Sequence, residues 1–384
     1  MPLELLDPRS PEATAIWKEL ADACPHSYFL SCGWVDYWLS MLPPPANVKL
    51  AVIRDGGVAV AAAFLGHASV VRQRLFRSTA WLLNQTGDRS LDQLYIEDNG
   101  FLARSGTSIG VRDLLAMLPG NWEELYLSGV DPRTPTGALL NEVREPYQLL
   151  VANRIPAPYV DLAALRAERK EYLARLGSNT RSQVRRSYKL YEAQAPLRRE
   201  VAANVAEALA IYEELVELHQ RWWNGRGQRG AFANPYFTAF HRGLIERRFA
   251  AGELQLIRVR CGDATIGCLY NFVWNGKVSF YQSGLRGEED NRLKPGFICH
   301  TEAVRHSLEA GHAVYDFMAS FDEYKLRMST HQRELVWARI QKPRLKFAVE
   351  RVLRAGALRA VAQYRKAASG RKRAARVQVA ETAC

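Results

Sequence analysis

Apolar residues recur at helical spacing in PEATAIWKELADAC and GWVDYWLSML, and the next apolar run, VKLAVIRDGGVAVAAAFL, breaks at Asp55-Gly56-Gly57 into two strands. The same half continues with a strand-like DQLYIED, a helix around VRDLLAML, a Pro119-Gly120 stop and a strand EELYLSG. Further along, the order recurs more clearly. VAEALAIYEELVELHQRWW and NPYFTAFHRGLIERRFAAG read as amphipathic helices, the second opening at Asn234-Pro235 and stopping at Gly252. LQLIRVR, TIGCLYNFVW and KVSFYQSGL then form an antiparallel meander, because the tight turns Gly262-Asp263 and Asn275-Gly276 suit hairpins.

A helix with an unusual entrance follows, RLKPGFICHTEAVRHSLEAG, ended by Gly311 and succeeded by the strand HAVYDFM and a last strand ELVWARI. Phe297, Thr301, Val304 and Leu308 lie on one face of that helix, so this face packs on the sheet while Arg305 and Glu309 stay wet. Two halves sharing helix, helix, meander, helix, strand predict a tandem α/β protein, with domains at 1–160 and 196–342. Between them, 161–195 is helical and basic at its centre, with Arg181, Arg185 and Lys189 four apart on one face. Such a face is either simply solvated or a clamp for an anion at the seam of two domains. The tail, 343–384, mixes apolar residues at helical spacing with many Arg and Lys, which fits a terminal helix docked on its own domain or peripheral contact with an anionic membrane.

Composition narrows the class. With 384 residues, 48% apolar and 24% charged, the chain has core enough for two domains. It lacks an apolar run of bilayer length and a basic-then-apolar leader, so a cytoplasmic protein is expected, peripheral at most to the inner face of a membrane. Cys24, Cys32, Cys261, Cys268, Cys299 and Cys384 are scattered and the histidines form no ligand comb, so neither a metal nor a disulfide framework is expected. A net charge of +12 favours a phosphate-bearing partner, whether nucleic acid, lipid, nucleotide-sugar or coenzyme A.

The entrance Lys294-Pro295-Gly296 carries the most specific chemistry. Pro295 has no N–H to lose at a first helical position and Gly296 has no side chain, so the amides near Phe297 and Ile298 would be left free to face an anion beside Lys294. The same Pro-Gly also suits a plain sharp turn from strand to helix.

From SFYQSGL to the end of the block, Tyr281, Pro295-Gly296, Gly311, Asp316-Phe317 and Tyr324-Lys325 resemble the final block of the CelD/BcsL-like acetyltransferases of the GNAT superfamily. GSNTRSQVRRSYKLYE is similar to that family's basic helix. The loop lacks the Arg/Gln-x-x-Gly-x-Gly/Ala phosphate signature, and Ser320 stands where the family has Gly. The resemblance implies two tandem GNAT-like domains, each a mixed, mainly antiparallel sheet flanked by helices, as in the FemABX aminoacyl transferases. It implies acetyl-CoA or another acyl-CoA as donor, bound at Lys294, Pro295, Gly296, Phe297 and Ile298. In that reading Asp316 is base or substrate orienter, Lys325 polarises the carbonyl, and Tyr281 donates to the leaving thiolate. Asn271, Arg181, Arg185 and Tyr324 contact the acceptor or its charge, the acceptor being a small molecule or saccharide precursor, by family association in exopolysaccharide synthesis. Aminoacyl transfer from aminoacyl-tRNA and a non-catalytic binding scaffold are the alternatives, and nucleic acid enters only as that tRNA.

Overall fold

The computed structural model describes residues 3–353 apart from 45, 73, 74 and 108. The first half comprises β1 (Leu3–Leu6), α1 (Pro11–Ala23), α2 (Cys32–Met41), β2 (Val48–Asp55), β3 (Val58–Arg72), β4 (Phe76–Leu83), β5 (Leu102–Ala103), α3 (Val111–Met117), β6 (Glu124–Val130), α4 (Pro135–Glu142) and β7 (Gln148–Asp161). Three helices connect the halves, the short α5 (Leu162–Ala167) and α6 (Tyr172–Arg175) and the longer, basic α7 (Ser178–Glu192). The second half has β8 (Leu197–Val201), α8 (Val205–Asn224), α9 (Pro235–Arg248), β9 (Leu254–Cys261), β10 (Ala264–Trp274), β11 (Lys277–Leu285), α10 (Pro295–Glu309), β12 (Val314–Asp316), α11 (Glu323–Met328) and β13 (His331–Gln341).

Local chemistry sets many of these bounds. Asn204 caps α8 by accepting the Glu207 N–H while Glu207 reaches back to the Ala203 N–H, a reciprocal capping box. The turns at Gly262-Asp263 and Asn275-Gly276 join strands in the expected register, Cys261 opposite Ala264 and Trp274 opposite Lys277. The strand expected at DQLYIED is instead a single 3-10 turn, Asp92–Leu94, followed by irregular chain, because Tyr95 and Asp98 adopt left-handed φ values of 44° and 50°. The basic stretch expected to be helical is divided into α5, α6 and α7.

All strands join one sheet in the order β1-β2-β3-β4-β6-β13-β7-β12-β11-β10-β9-β8, with β5 on β3. Each half contains one parallel pair, β4 with β6 and β11 with β12. Between these pairs the halves exchange strands: β13 lies between β6 and β7, and β7 lies between β13 and β12. Three cores flank the sheet. One lies under α3 and α4, one under α7 and α10, and a third, rich in aromatic rings, joins α1 and α2 to α8 and α9 across the halves. In that third core Trp34 packs edge-on against both Phe240 and Phe272, with ring centres 5.0 and 5.7 Å away.

Candidate active site

The second half's parallel pair is short. β11 and β12 run together only through Lys277–Ser279 opposite Val314–Asp316. Beyond that point β11 stays with β10, where a bulge leaves Tyr281 without an opposite residue between the pairs Tyr270–Gln282 and Asn271–Phe280. The chain after β12 turns along β7 instead, with the Phe317 and Ser320 N–H groups donating to the carbonyls of Pro158 and Pro156. Met318, at φ 60°, sits at the bend in a conformation that side chains resist. A notch opens between the strands. Lys325 spans it, its buried ammonium donating to the Phe317 carbonyl at 2.8 Å and lying 5.1 Å from the Phe280 ring centre.

The first half makes a corresponding opening and closes it. β4 and β6 run together through Ala80–Leu82 and Glu124–Tyr126. Where they part, the side-chain amide of Asn99 donates to the carbonyls of Leu83 and Ser128 at 3.0 Å each, and Asn84 donates to Asn99 Oδ1 at 2.7 Å. The residues just before this plug cross to the second half. Glu97 accepts the Ala319 N–H with both carboxylate oxygens, at 3.0 and 2.9 Å. Asp98 pairs with Lys277 at 2.6 Å and with Arg333 at 2.9 Å. Arg333, on the exchanged strand β13, also reaches Asp316 at 2.8 Å and Asp131 at 3.1 Å.

The charges are shifted in opposite senses. Burial pushes the Glu97 carboxyl up to about 7, and the nearby negative charges of Asp316 and Asp98 add to the effect. Burial lowers the Lys325 ammonium, against the pull of Glu97. Asp98 is opposite in sign to Glu97: burial would raise it, but Lys277 and Arg333 outweigh that and hold it below the usual carboxylate range. A carboxyl raised toward neutrality by burial thus sits beside a carboxylate held in its charged form.

Asp316 and Lys325, singled out in the sequence, meet at this notch, and Tyr281 borders it. The Asp316 carboxylate is fully engaged by Arg333, Lys277 and the Met318 N–H. The Tyr281 hydroxyl is committed to the Leu94 carbonyl. At the α10 entrance, the Lys294 N–H donates to Ser187 Oγ at 2.9 Å. The Phe297 and Ile298 amides, expected to be free, donate to the Lys294 carbonyl at 3.0 and 3.2 Å, because the first turn closes on itself behind Pro295 and Gly296. Tyr324 packs on His300, with ring centres 5.7 Å apart. Asn271 is buried inside the sheet, its amide donating to Gln255 at 2.8 Å, while its Oδ1 has no partner among the described residues. Arg181 donates to the Ala174 carbonyl, and Arg185 lines a separate groove of about 430 Å³ with Lys189 and Arg198.

Beyond Leu285 the open end of β11 meets the end of α8 in a cleft of about 520 Å³. It is lined by Leu218, Trp222 and Leu285 and carries Arg221, Arg226 and Arg286. Arg226 stacks on the half-exposed Trp222 ring at 3.3 Å. The sequence reading missed Glu97, Asp98, Lys277, Arg333 and this cleft. The one local signal was the acidic pair ahead of Asn99-Gly100.

Residues 178–326 match the family model described as Acetyltransferase (GNAT) domain. The match begins with α7 and ends just past Lys325, so it spans the notch and the cleft. No curated protein matches the chain. Among solved structures, one described as FemX has 10% identity and a TM-score of 0.55, over 90% of this chain and 98% of that one. L-PGS from Bacillus licheniformis has 10% identity and a TM-score of 0.50, over 91% and 97%. A conserved protein of unknown function from Bacteroides thetaiotaomicron has 12% identity and a TM-score of 0.50, over 86% and 97%. The fold is of GNAT acyltransferase type, with two GNAT-like halves.

Proposed function

We propose that the protein transfers an acyl group from an acyl-CoA thioester to the amine or hydroxyl of a small-molecule or saccharide acceptor. The observation that carries this reading is the meeting of Glu97 and Lys325 on one short loop: Lys325 holds the Phe317 carbonyl and Glu97 the Ala319 N–H two residues later. A thioester needs little activation, so transfer requires a nucleophile held in line, a base and an oxyanion donor. Glu97, titrating near neutrality, takes the proton of the attacking amine or hydroxyl. Lys325, desolvated and aimed across the notch, donates to the developing oxyanion. Asp316, held by Arg333 and Lys277, fixes the loop that carries both partners. Tyr281 ties Leu94, and with it the segment leading to Glu97, to β11.

The donor's phosphates and ring system fit the cleft of Trp222, Arg226 and Arg286, which combines a stacking face with cations at the open end of the notch. Leu285 lies four steps along β11 from Tyr281, roughly 13 Å at strand rise, a span suited to an extended thioester arm. One feature favours a second reading, aminoacyl-tRNA as donor: Arg185, Lys189 and Arg198 form no ion pair among the described residues and share a groove.

One experiment separates the two. The purified chain is titrated with acetyl-CoA, longer acyl-CoAs and tRNA, and free thiol release is followed with a panel of amines and amino sugars. Acyl-CoA binding that weakens at least tenfold in Arg226→Ala/Arg286→Ala, with thiol release lost in Glu97→Gln, supports the first reading. Binding of tRNA alone, weakened by Arg185→Ala/Lys189→Ala and by salt, overturns it.

A further inference from the structure

Eleven large hydrophobic side chains are exposed among the described residues, and six of them stand in one corner of the first half: Val71, Leu75, Leu345, Val349, Val352 and Leu353. The first two sit at the β3–β4 hairpin. The other four lie on residues 345–353, which are helical, at a spacing of four, three and one that places them on one face. They are not marginal cases, since Leu75 is 77% exposed, Leu345 88% and Val352 71%.

The opposite face of that helix is anchored to the hairpin. Phe347 is buried beneath the Arg72 guanidinium, Glu350 pairs with Arg72 at 2.9 Å, and Lys346 donates to the Arg77 carbonyl at 2.8 Å. Hairpin and helix therefore form one fixed platform, with the polar and aromatic contacts inward and the aliphatic ones outward. A soluble monomer rarely leaves such a patch without a use.

Charge identifies the occupant. Residues 343–384 contain eleven Lys and Arg against two Glu, a net of +9 out of the chain's +12, and the hairpin sequence VRQRLFR adds Arg74 and Arg77 besides the ion-paired Arg72. Aliphatic side chains on a helix whose sequence runs on into concentrated positive charge match the interface of an anionic bilayer, where acyl-chain contact and headgroup attraction act together. We propose that the β3–β4 hairpin and helix 345–353 form a docking surface for an anionic lipid bilayer, on which the protein sits peripherally. Among the described residues no helix is long and apolar enough to cross a membrane.

The test uses the full chain and sedimentation with vesicles of phosphatidylcholine alone or with about one third phosphatidylglycerol. The expected result is at least tenfold tighter partitioning to the anionic vesicles, weakening with salt. It should fall at least tenfold in Leu345→Glu/Val349→Glu/Val352→Glu and in Leu75→Glu, with thermal unfolding unchanged. Equal partitioning to both vesicles overturns the proposal, as does parental binding by both variants. So does a dimer, seen by light scattering, that the triple variant converts to monomer, since a second copy would then be what covers the face.

Discussion

The carboxylate of Glu97, from the first half, accepts the backbone N–H of Ala319, from the second. A carboxylate thus reaches the notch from outside the half that bears the acetyltransferase match. Glu97→Gln keeps the size and one acceptor but cannot take a proton, and it should lower kcat by about 10²- to 10⁴-fold with little change in donor affinity. The pH profile gives the sharper check. In the parent, kcat/KM should rise with pH and level off above about 7, where Glu97 is ionised, and the variant should lack that limb.

Stability should register the same group with opposite sign. Glu97 has its folded value raised, so its contribution is complete below its unfolded value of about 4.3 and is lost as pH rises through about 7. Asp98 is depressed by Lys277 and Arg333, so its contribution is present above its unfolded value of about 3.9 and is lost as the solution becomes more acidic. Urea melts at pH 5 and pH 8 should show Glu97→Gln gaining on the parent at the higher pH. Asp98→Asn should lose at both.

Arg333 is the shared cation of three carboxylates, Asp98, Asp131 and Asp316. Arg333→Met removes it and leaves buried negative charge uncompensated, so a loss of about 3–5 kcal/mol is expected in chemical denaturation. Asp98→Asn/Arg333→Met should recover part of that loss, because fewer unpaired charges remain.

Gly284, on β11, lies directly beneath α8: a Cβ there would overlap the Leu215 carbonyl and stand 2.8 Å from its Cα. Backbone cannot yield as a side-chain end can, so Gly284→Ala should lift α8 from the sheet and cost about 1–3 kcal/mol. The cleft at Trp222 should open with it, and donor affinity should fall along with the melting temperature.

Much of the second half was legible because its signals are local. Asn275-Gly276 fixed a hairpin register, Pro295 marked the first turn of α10, and HAVYDFM put Asp316 on a strand, which ends at that residue. Lys325 was marked by its Tyr-Lys resemblance, although nothing local indicated that it would be buried. Glu97 and Arg333 were not legible as site residues. Their roles arise from pairing between strands far apart in sequence, and no periodicity within a window encodes which strand lies beside β6. The segment around Glu97 had the composition of a strand, but Asn99 is more useful as a bridge between Leu83 and Ser128 than as a rung in a ladder.

The exchange of β7 and β13 gives the protein a particular biography at the ribosome. The first sheet cannot be finished when its own residues emerge, because the strand beside β6 is translated roughly two hundred residues later. Until then β6 and β7 present bare edges to whatever is nearby, and a gene cut at the junction would yield two fragments, each missing a neighbour that the other holds.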